Sequence, residues 1–235
     1  MTEKKTVMTS SAAIFDMDRT LTRHDTLLPW LRHLVGPRKA ALSALRAAPG
    51  ALNPVRSGGL THRHHVKAKL LGMTIAGHSE ASLVEAARRL SRDLEWIDET
   101  CRLLEDHLDE GHRVLVATGA LSLVARTLIN ERFGSYPTNR LEVIGTEIEY
   151  SVENAYFTGR MTSLNCIGHA KAARVMDWLN RHGPFENISG YGNAPHDLPM
   201  LNLCDKPHII KRGQILIVQQ APLLQTTRLR QERME

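Results

Sequence analysis

The sequence predicts an α/β protein: a parallel sheet covered by helices on both faces, with a helical segment inserted after the first strand. Three observations carry this. A short apolar run, Ala12 to Phe15, ends abruptly in DMDRTLT, as a buried strand does when it delivers polar groups at its carboxyl end. From about Arg23 to Gly111 the apolar residues recur at helical spacing, as in Leu27, Leu28, Leu31 and Leu34 and again in Leu83, Ala86, Ala87 and Leu90. Beyond Gly111, strand-like and helix-like stretches alternate, the pattern of parallel strands joined by crossover helices.

The elements follow in order. The helical block is interrupted by PGALNPVRSGG around Pro49 to Gly59, a turn-rich string. Arg113 to Thr118 is a second strand, and a helix runs from about Leu121 to Phe133. Leu141 to Thr146, Ile148 to Tyr150 and Ala155 to Thr158 read as strands, and Ala170 to Asn180 as a helix. A short strand ends near Gly192, and two more fit His208 to Ile210 and Ile215 to Val218. After Pro222 the tail lacks apolar periodicity and reads as frayed.

The length, 235 residues, suits one domain with a large insertion or two small ones at ~150 residues per domain. With 42% hydrophobic residues the chain supports a core and is not wholly disordered. No stretch reaches the ~18 apolar residues of a membrane span. The start, MTEKKTVMTSSAAIF, carries too short an apolar run for a secretory signal. Cys101, Cys166 and Cys204 are odd in number and widely spaced. They suggest neither a disulfide framework nor a zinc site, and fit a reducing cytoplasm. Net charge is +5, unevenly spread: from Arg23 to Ser79 nine lysines and arginines face Asp25 alone. Such a surface can attract nucleic acid, anionic lipid or a small anionic substrate, and charge does not choose among them.

Four short motifs fall at strand ends or helix starts. In Asp16-Met17-Asp18-Arg19-Thr20 two carboxylates stand two residues apart, so both can enter one crevice. They repel unless a cation or a shared proton intervenes, which suits a hard ion such as magnesium. One carboxylate can attack phosphorus while the other moves a proton at the leaving oxygen. Thr118-Gly119, after VLVA, pairs a hydroxyl with backbone amides able to hold a phosphoryl oxygen. Lys171, early in a helix after NCIGHA, can neutralise phosphate and carboxylate together. Finally, GYGNAPHDLPML places Asn193 and Asp197 between a strand and a proline-started helix, where direct or water-mediated metal ligands fit. Each motif taken alone also has an ordinary reading: a solvated turn, an N-cap threonine, a solvated helix lysine.

In this order, with a helical insert after the first, FDMDRTLT, VLVATG, GHAK and GYGNAPHDLPML resemble the haloacid dehalogenase (HAD) superfamily. The insert position and the stretch Thr158 to Lys171 are similar to its phosphoserine-phosphatase-like branch, subfamily IB. The likeness covers about Ala12 to Gly213. It implies a Rossmann-like core (the HAD fold) over residues 1–22 and 111–221, a helical cap over 23–110, and a flexible tail over 222–235. By the resemblance Asp16 is the nucleophile that forms an aspartyl-phosphate, and Asp18 is the general acid/base. Thr118 and Lys171 hold the phosphoryl group. The expected Mg2+ ligands are Asp16, Asp18 through its carbonyl, Asn193 and Asp197; Thr20, Gly119, His24 and Asp25 are expected to line the substrate site. The presence of Asp18 argues against the halide-removing branch.

The implied activity is a magnesium-dependent phosphomonoester hydrolase acting on a small anionic phosphorylated metabolite in the cytoplasm. No membrane span or nucleic-acid partner is expected, and oligomeric state is unreadable. A phosphotransferase and a catalytically weakened binding or regulatory protein are the rivals, with a nucleic-acid binder using the basic cap a third. Two departures stand out. Arg19 occupies a position where many relatives have glycine. Asn193 stands where the family usually supplies an aspartate, so magnesium binding should be weaker.

Other features are read blandly. Thr61-His62-Arg63-His64-His65 is taken as basic cap surface rather than a zinc site, since no acid or cysteine stands at ligand spacing. Asp25 either faces the leaving group or caps the next helix. Trp30 and Trp96 are assigned to core packing, and the tail Arg228 to Arg233 to solvent.

Overall fold

A computed structural model describes residues 10–48 and 62–217. Along the chain the elements are β1 (Ser10–Phe15), α1 (Leu27–Val35), α2 (Pro37–Ala47), α3 (His62–Thr74), α4 (Glu80–Asp93) and α5 (Asp98–Asp109). They continue with β2 (Arg113–Leu121), α6 (Ser122–Phe133), β3 (Leu141–Thr146), β4 (Ile148–Ser151), β5 (Tyr156–Met161) and α7 (Gly168–His182). β6 (Phe185–Gly192), α8 (Leu198–Leu201), β7 (Lys206–Lys211) and β8 (Gln214–Ile217) complete them. The expected interruption near Pro49 to Gly59 and the expected tail both lie outside the described residues.

Six strands form one sheet in the order β3-β2-β1-β6-β7-β8. β1 lies inside it, parallel to β2 and to β6. Alternation along β1 sends Ala13 and Phe15 to one face and Ala12 and Ile14 to the other. α5, α6 and the inserted helices cover the first face, with Leu104, Leu128 and Phe133 in the core they share with β1 and β2. α7 and α8 cover the second, where Trp178 and Met200 are fully buried. β1 is therefore apolar throughout, as a strand covered on both sides must be.

Two strand pairs depart from an all-parallel sheet. β8 runs antiparallel to β7 because Arg212 and Gly213, both at positive φ (53° and 80°), make a two-residue hairpin turn between Lys211 and Gln214. β4 and β5 leave the main sheet as a separate antiparallel pair. That pair packs on α3 through β5. Gly159 in β5 sits at φ +80°, and a Cβ there would come within 2.9 Å of Leu71 O and Gly72 Cα, so only glycine lets the two backbones approach.

The ends of the inserted segment are tied side by side. Ile97 N–H donates to Leu21 O at 2.8 Å, and Arg23 N–H to Glu95 O at 2.9 Å. Trp30, fully buried, joins α1 to α4 by donating Nε1–H to Leu83 O at 3.2 Å. Past Trp96 the chain returns to the sheet, and α5 lies against β1 and β2. No helix among the described residues is long and apolar enough to cross a membrane.

Candidate active site

β1 ends at Phe15, and the next residues turn out over the carboxyl edge of the sheet. Asp16 stays buried, its N–H donating to Tyr191 O on β6 at 2.8 Å. Its carboxylate is gripped on both oxygens. Lys171 Nζ donates to Oδ1 at 2.6 Å; Thr20 Oγ1 and Asn193 Nδ2 each donate to Oδ2 at 3.0 Å. Burial pushes the Asp16 carboxyl up to about 7, the charge of Asp197 adding to the rise while Lys171 opposes it. Lys171 is itself buried and also donates to Asp197 Oδ1 at 2.5 Å. Burial alone would lower the pKa of that ammonium, but the two carboxylates raise it, so it stays charged.

Asp18 turns its two ends in different directions. Its carboxylate Oδ1 accepts from Thr26 N–H at 3.0 Å and Thr26 Oγ1–H at 2.9 Å, toward the inserted segment. Its backbone carbonyl accepts from Asn193 Nδ2 at 2.8 Å. Burial raises the Asp18 carboxyl to about 6, the bonds from Thr26 holding it back and Asp25 adding to the rise.

Asp197 closes the opposite side, using Oδ1 for Lys171 and Oδ2 for the Asn193 N–H at 2.9 Å. Its approach needs Gly192, where a Cβ would stand 2.7 Å from Asp197 Cβ. Thr118 is fully buried, and its hydroxyl oxygen accepts from Ala120 N–H at 3.0 Å, which leaves the hydroxyl proton to donate elsewhere. Pairing between β2 and β3 jumps from Ala117↔Ile144 to Leu121↔Thr146, so Thr118, Gly119 and Ala120 bulge out of the ladder.

Asp16, Asp18, Thr20, Lys171, Asn193 and Asp197 thus share one hydrogen-bonded cluster, and Thr118-Gly119 forms the bulge on the neighbouring strand β2. His24 and Asp25 lie outside that cluster, on the exposed surface. Asp25 Oδ2 pairs with Arg19 Nη2 at 2.5 Å, while α1 begins after Thr26. Arg19 has φ 64°, the left-handed region that favours glycine. Thr26, Thr146, Asn165 and Lys67 also belong to this neighbourhood. Only the position of Thr26 just before an apolar helical run could have pointed to it from sequence.

A divalent cation suits this oxygen set. Asp16 Oδ2 and Asp18 O converge on the Asn193 amide, and its oxygen and nitrogen exchange places by a half-turn of the terminal torsion. The residues fit a hard ion with a reduced charge complement, since Asn193 contributes no negative charge.

A mostly parallel sheet, a helical insert after its first strand, and paired carboxylates at that strand's carboxyl edge define an α/β protein with a buried acidic cluster where such sheets place their functional groups. The chain belongs to the haloacid dehalogenase-like hydrolase family, whose profile matches residues 13–202. It is 27% identical over 209 residues to a histidinol-phosphatase of Neisseria meningitidis serogroup C (strain 8013), covering 83% of this chain and 87% of that one. Among solved structures it is similar to a protein of unknown function from Bordetella pertussis Tohama I, with TM-score 0.67 and 23% identity over 95% of this chain and 96% of that one. A phosphoserine phosphohydrolase-like protein from Francisella tularensis subsp. tularensis SCHU S4 follows at TM-score 0.54 and 17% identity, over 84% and 85% of the two chains.

Proposed function

We propose that this hydrolase cleaves small phosphomonoesters, with magnesium bound, through a phosphorylated Asp16. The observation that carries the reading is the grip on Asp16: one oxygen on Lys171, the other on Thr20 and Asn193, at the end of an interior strand. That grip aims a carboxylate and spends little at the moment of attack. Magnesium would be held by Asp16, the Asp18 carbonyl and Asn193, with Asp197 behind them, and would supply charge neutralisation at the phosphoryl oxygens.

The chain's own groups do the rest. Asp16 attacks phosphorus. Lys171 neutralises the attacking carboxylate and the equatorial oxygens, and the free hydroxyl proton of Thr118 with the amides of the bulge binds them. Asp18, raised to about 6, gives its proton to the leaving oxygen and then takes one from the water that opens the aspartyl-phosphate. The cap in this reading runs from Arg23 to Trp96, because α5 packs on the sheet. A reducing, cytoplasmic setting suits the three free, buried cysteines.

The test is hydrolysis of p-nitrophenyl phosphate with magnesium, followed by a phosphorylated-metabolite panel beginning with histidinol phosphate, the ester named by the curated relative. Asp16→Asn is expected to abolish turnover while the protein stays folded. Asn193 favours a second reading, a weakened binding or regulatory protein. Inactivity of the wild-type chain across the panel selects it; phosphate transfer to added alcohols selects a phosphotransferase.

A further inference from the structure

Lys67 is a buried charge that the reading above leaves unused. It stands on α3 in the inserted segment, yet it is only 7% exposed and reaches across to the sheet. An ammonium has three N–H bonds. They meet three acceptors from three separate segments: the Gly119 carbonyl in the β2 bulge, Thr146 Oγ1 at the end of β3 (3.1 Å), and Asn165 Oδ1 ahead of α7 (3.1 Å). None is a carboxylate. Burial pulls this ammonium down to about 8, with the more distant Asp18 pulling the other way.

Charge with only neutral partners is costly to bury, and an apolar side chain of the same length would fill the space without that cost, though it would leave buried acceptors short of a donor. Apolar packing therefore does not account for a lysine here. What the ammonium holds does. The bulge removes Gly119 O from the β-ladder, and that carbonyl belongs to the residue next to Thr118. Thr146 Oγ1 donates to the same carbonyl at 3.0 Å and accepts from Cys166 N–H at 3.2 Å, so the loop, β3 and the 165–166 turn form one knot. One turn before Lys67, His64 Nδ1 accepts from Asn165 N–H at 3.3 Å, and β5 packs on α3 as well.

We propose that Lys67 is a positioning residue that fixes the Thr118–Gly119 loop, so that docking of the helical insert and assembly of the phosphoryl cradle are a single event. Its catalytic consequence rests on the phosphatase reading; its structural consequence does not.

The test compares Lys67→Met and Lys67→Arg with Lys69→Met, which removes the same charge from an exposed position of α3. Read-outs are kcat and KM for p-nitrophenyl phosphate, inhibition by inorganic phosphate, melting temperature, and amide exchange over residues 117–121. The Met variant is expected to keep its melting temperature within a few degrees, to lose about 10- to 100-fold in kcat/KM, to weaken phosphate inhibition, and to exchange faster in the loop. Arg is expected to recover part of each loss and Lys69→Met to match wild type. Unchanged phosphate inhibition or unchanged loop exchange in the Met variant overturns the proposal. Should the Met variant not fold, Lys67→Gln is read by the same two criteria. An inactive wild-type chain would sink the phosphatase reading, and loop exchange would still decide the role of Lys67.

Discussion

Replacing Asn193 by aspartate should make the metal-free protein less stable, and magnesium should remove most of that deficit. The amide nitrogen lies 3.0 Å from Asp16 Oδ2 and 2.8 Å from Asp18 O, donating to both. A carboxylate oxygen there loses both bonds and faces Asp16 at the same distance. Coulomb repulsion at 3.0 Å with an effective dielectric near 20 is about 5 kcal/mol. The pair escapes part of this by holding one proton between them; taking half, about 2–3 kcal/mol, lowers the melting point by roughly 5–10 °C for a chain of this size. Magnesium acts against this loss. The extra charge is expected to tighten the site about 10- to 100-fold, some 1.4 kcal/mol per decade. At a concentration that half-saturates wild type, mass action stabilises wild type by about 0.4 kcal/mol and a hundredfold tighter variant by about 2.7. Melting curves in chelator and across a magnesium titration read both limbs without any substrate. A melting point unchanged in chelator together with an unchanged magnesium midpoint would place Asn193 outside the site and refute the reasoning.

Two further substitutions probe the surroundings. Lys171→Met leaves the Asp16 and Asp197 carboxylates buried with no cation between them; a loss of about 3–5 kcal/mol is expected in denaturant unfolding, and a loss under 1 would show the pair to be solvated. His107 is held below its usual pKa by burial and by His112, so as pH falls the folded chain takes up this proton later than the unfolded chain, which does so near 6.5. Its contribution is therefore present above that pH and lost as pH falls through it. His107→Gln should flatten the decline in melting temperature between pH 7 and 5, and an unaltered slope would remove His107 as its source.

Much of the site is legible because its pieces are local. A strand that must be apolar on both faces stops where the polar residues begin, so Ala12 to Phe15 fixes where Asp16 emerges; Lys171 and Asp197 follow equally local helix and strand boundaries. The antiparallel return of β8 is not read from the sequence: Arg212 and Gly213, both at positive φ, close a two-residue hairpin that the strand–helix alternation does not convey. Lys67 is different. Its role exists only where residues 67, 119, 146 and 165 meet, and nothing in KAKLL distinguishes the lysine that points inward from its exposed neighbour Lys69. The return of α5 to the sheet is hidden for the same reason, since its apolar stripe looks the same whether it faces a cap or a core.

The two departures from the family pattern act on one loop in opposite ways. Arg19 takes the left-handed conformation at φ 64° that a glycine would adopt without strain, and its exposed pairing with Asp25 is too solvated to offset much of that cost. Asn193 returns some of it by binding the two ends of the same turn, the Asp16 carboxylate and the Asp18 carbonyl. With an aspartate at 193, both ends would present only acceptors to one another, and the turn would wait for a cation to close it. With asparagine, the turn is closed by the chain itself. On the proposed reading, a metal ion would therefore exchange existing hydrogen bonds for ligand bonds instead of creating order, and the weaker site expected from asparagine is the physical counterpart of a more self-sufficient loop.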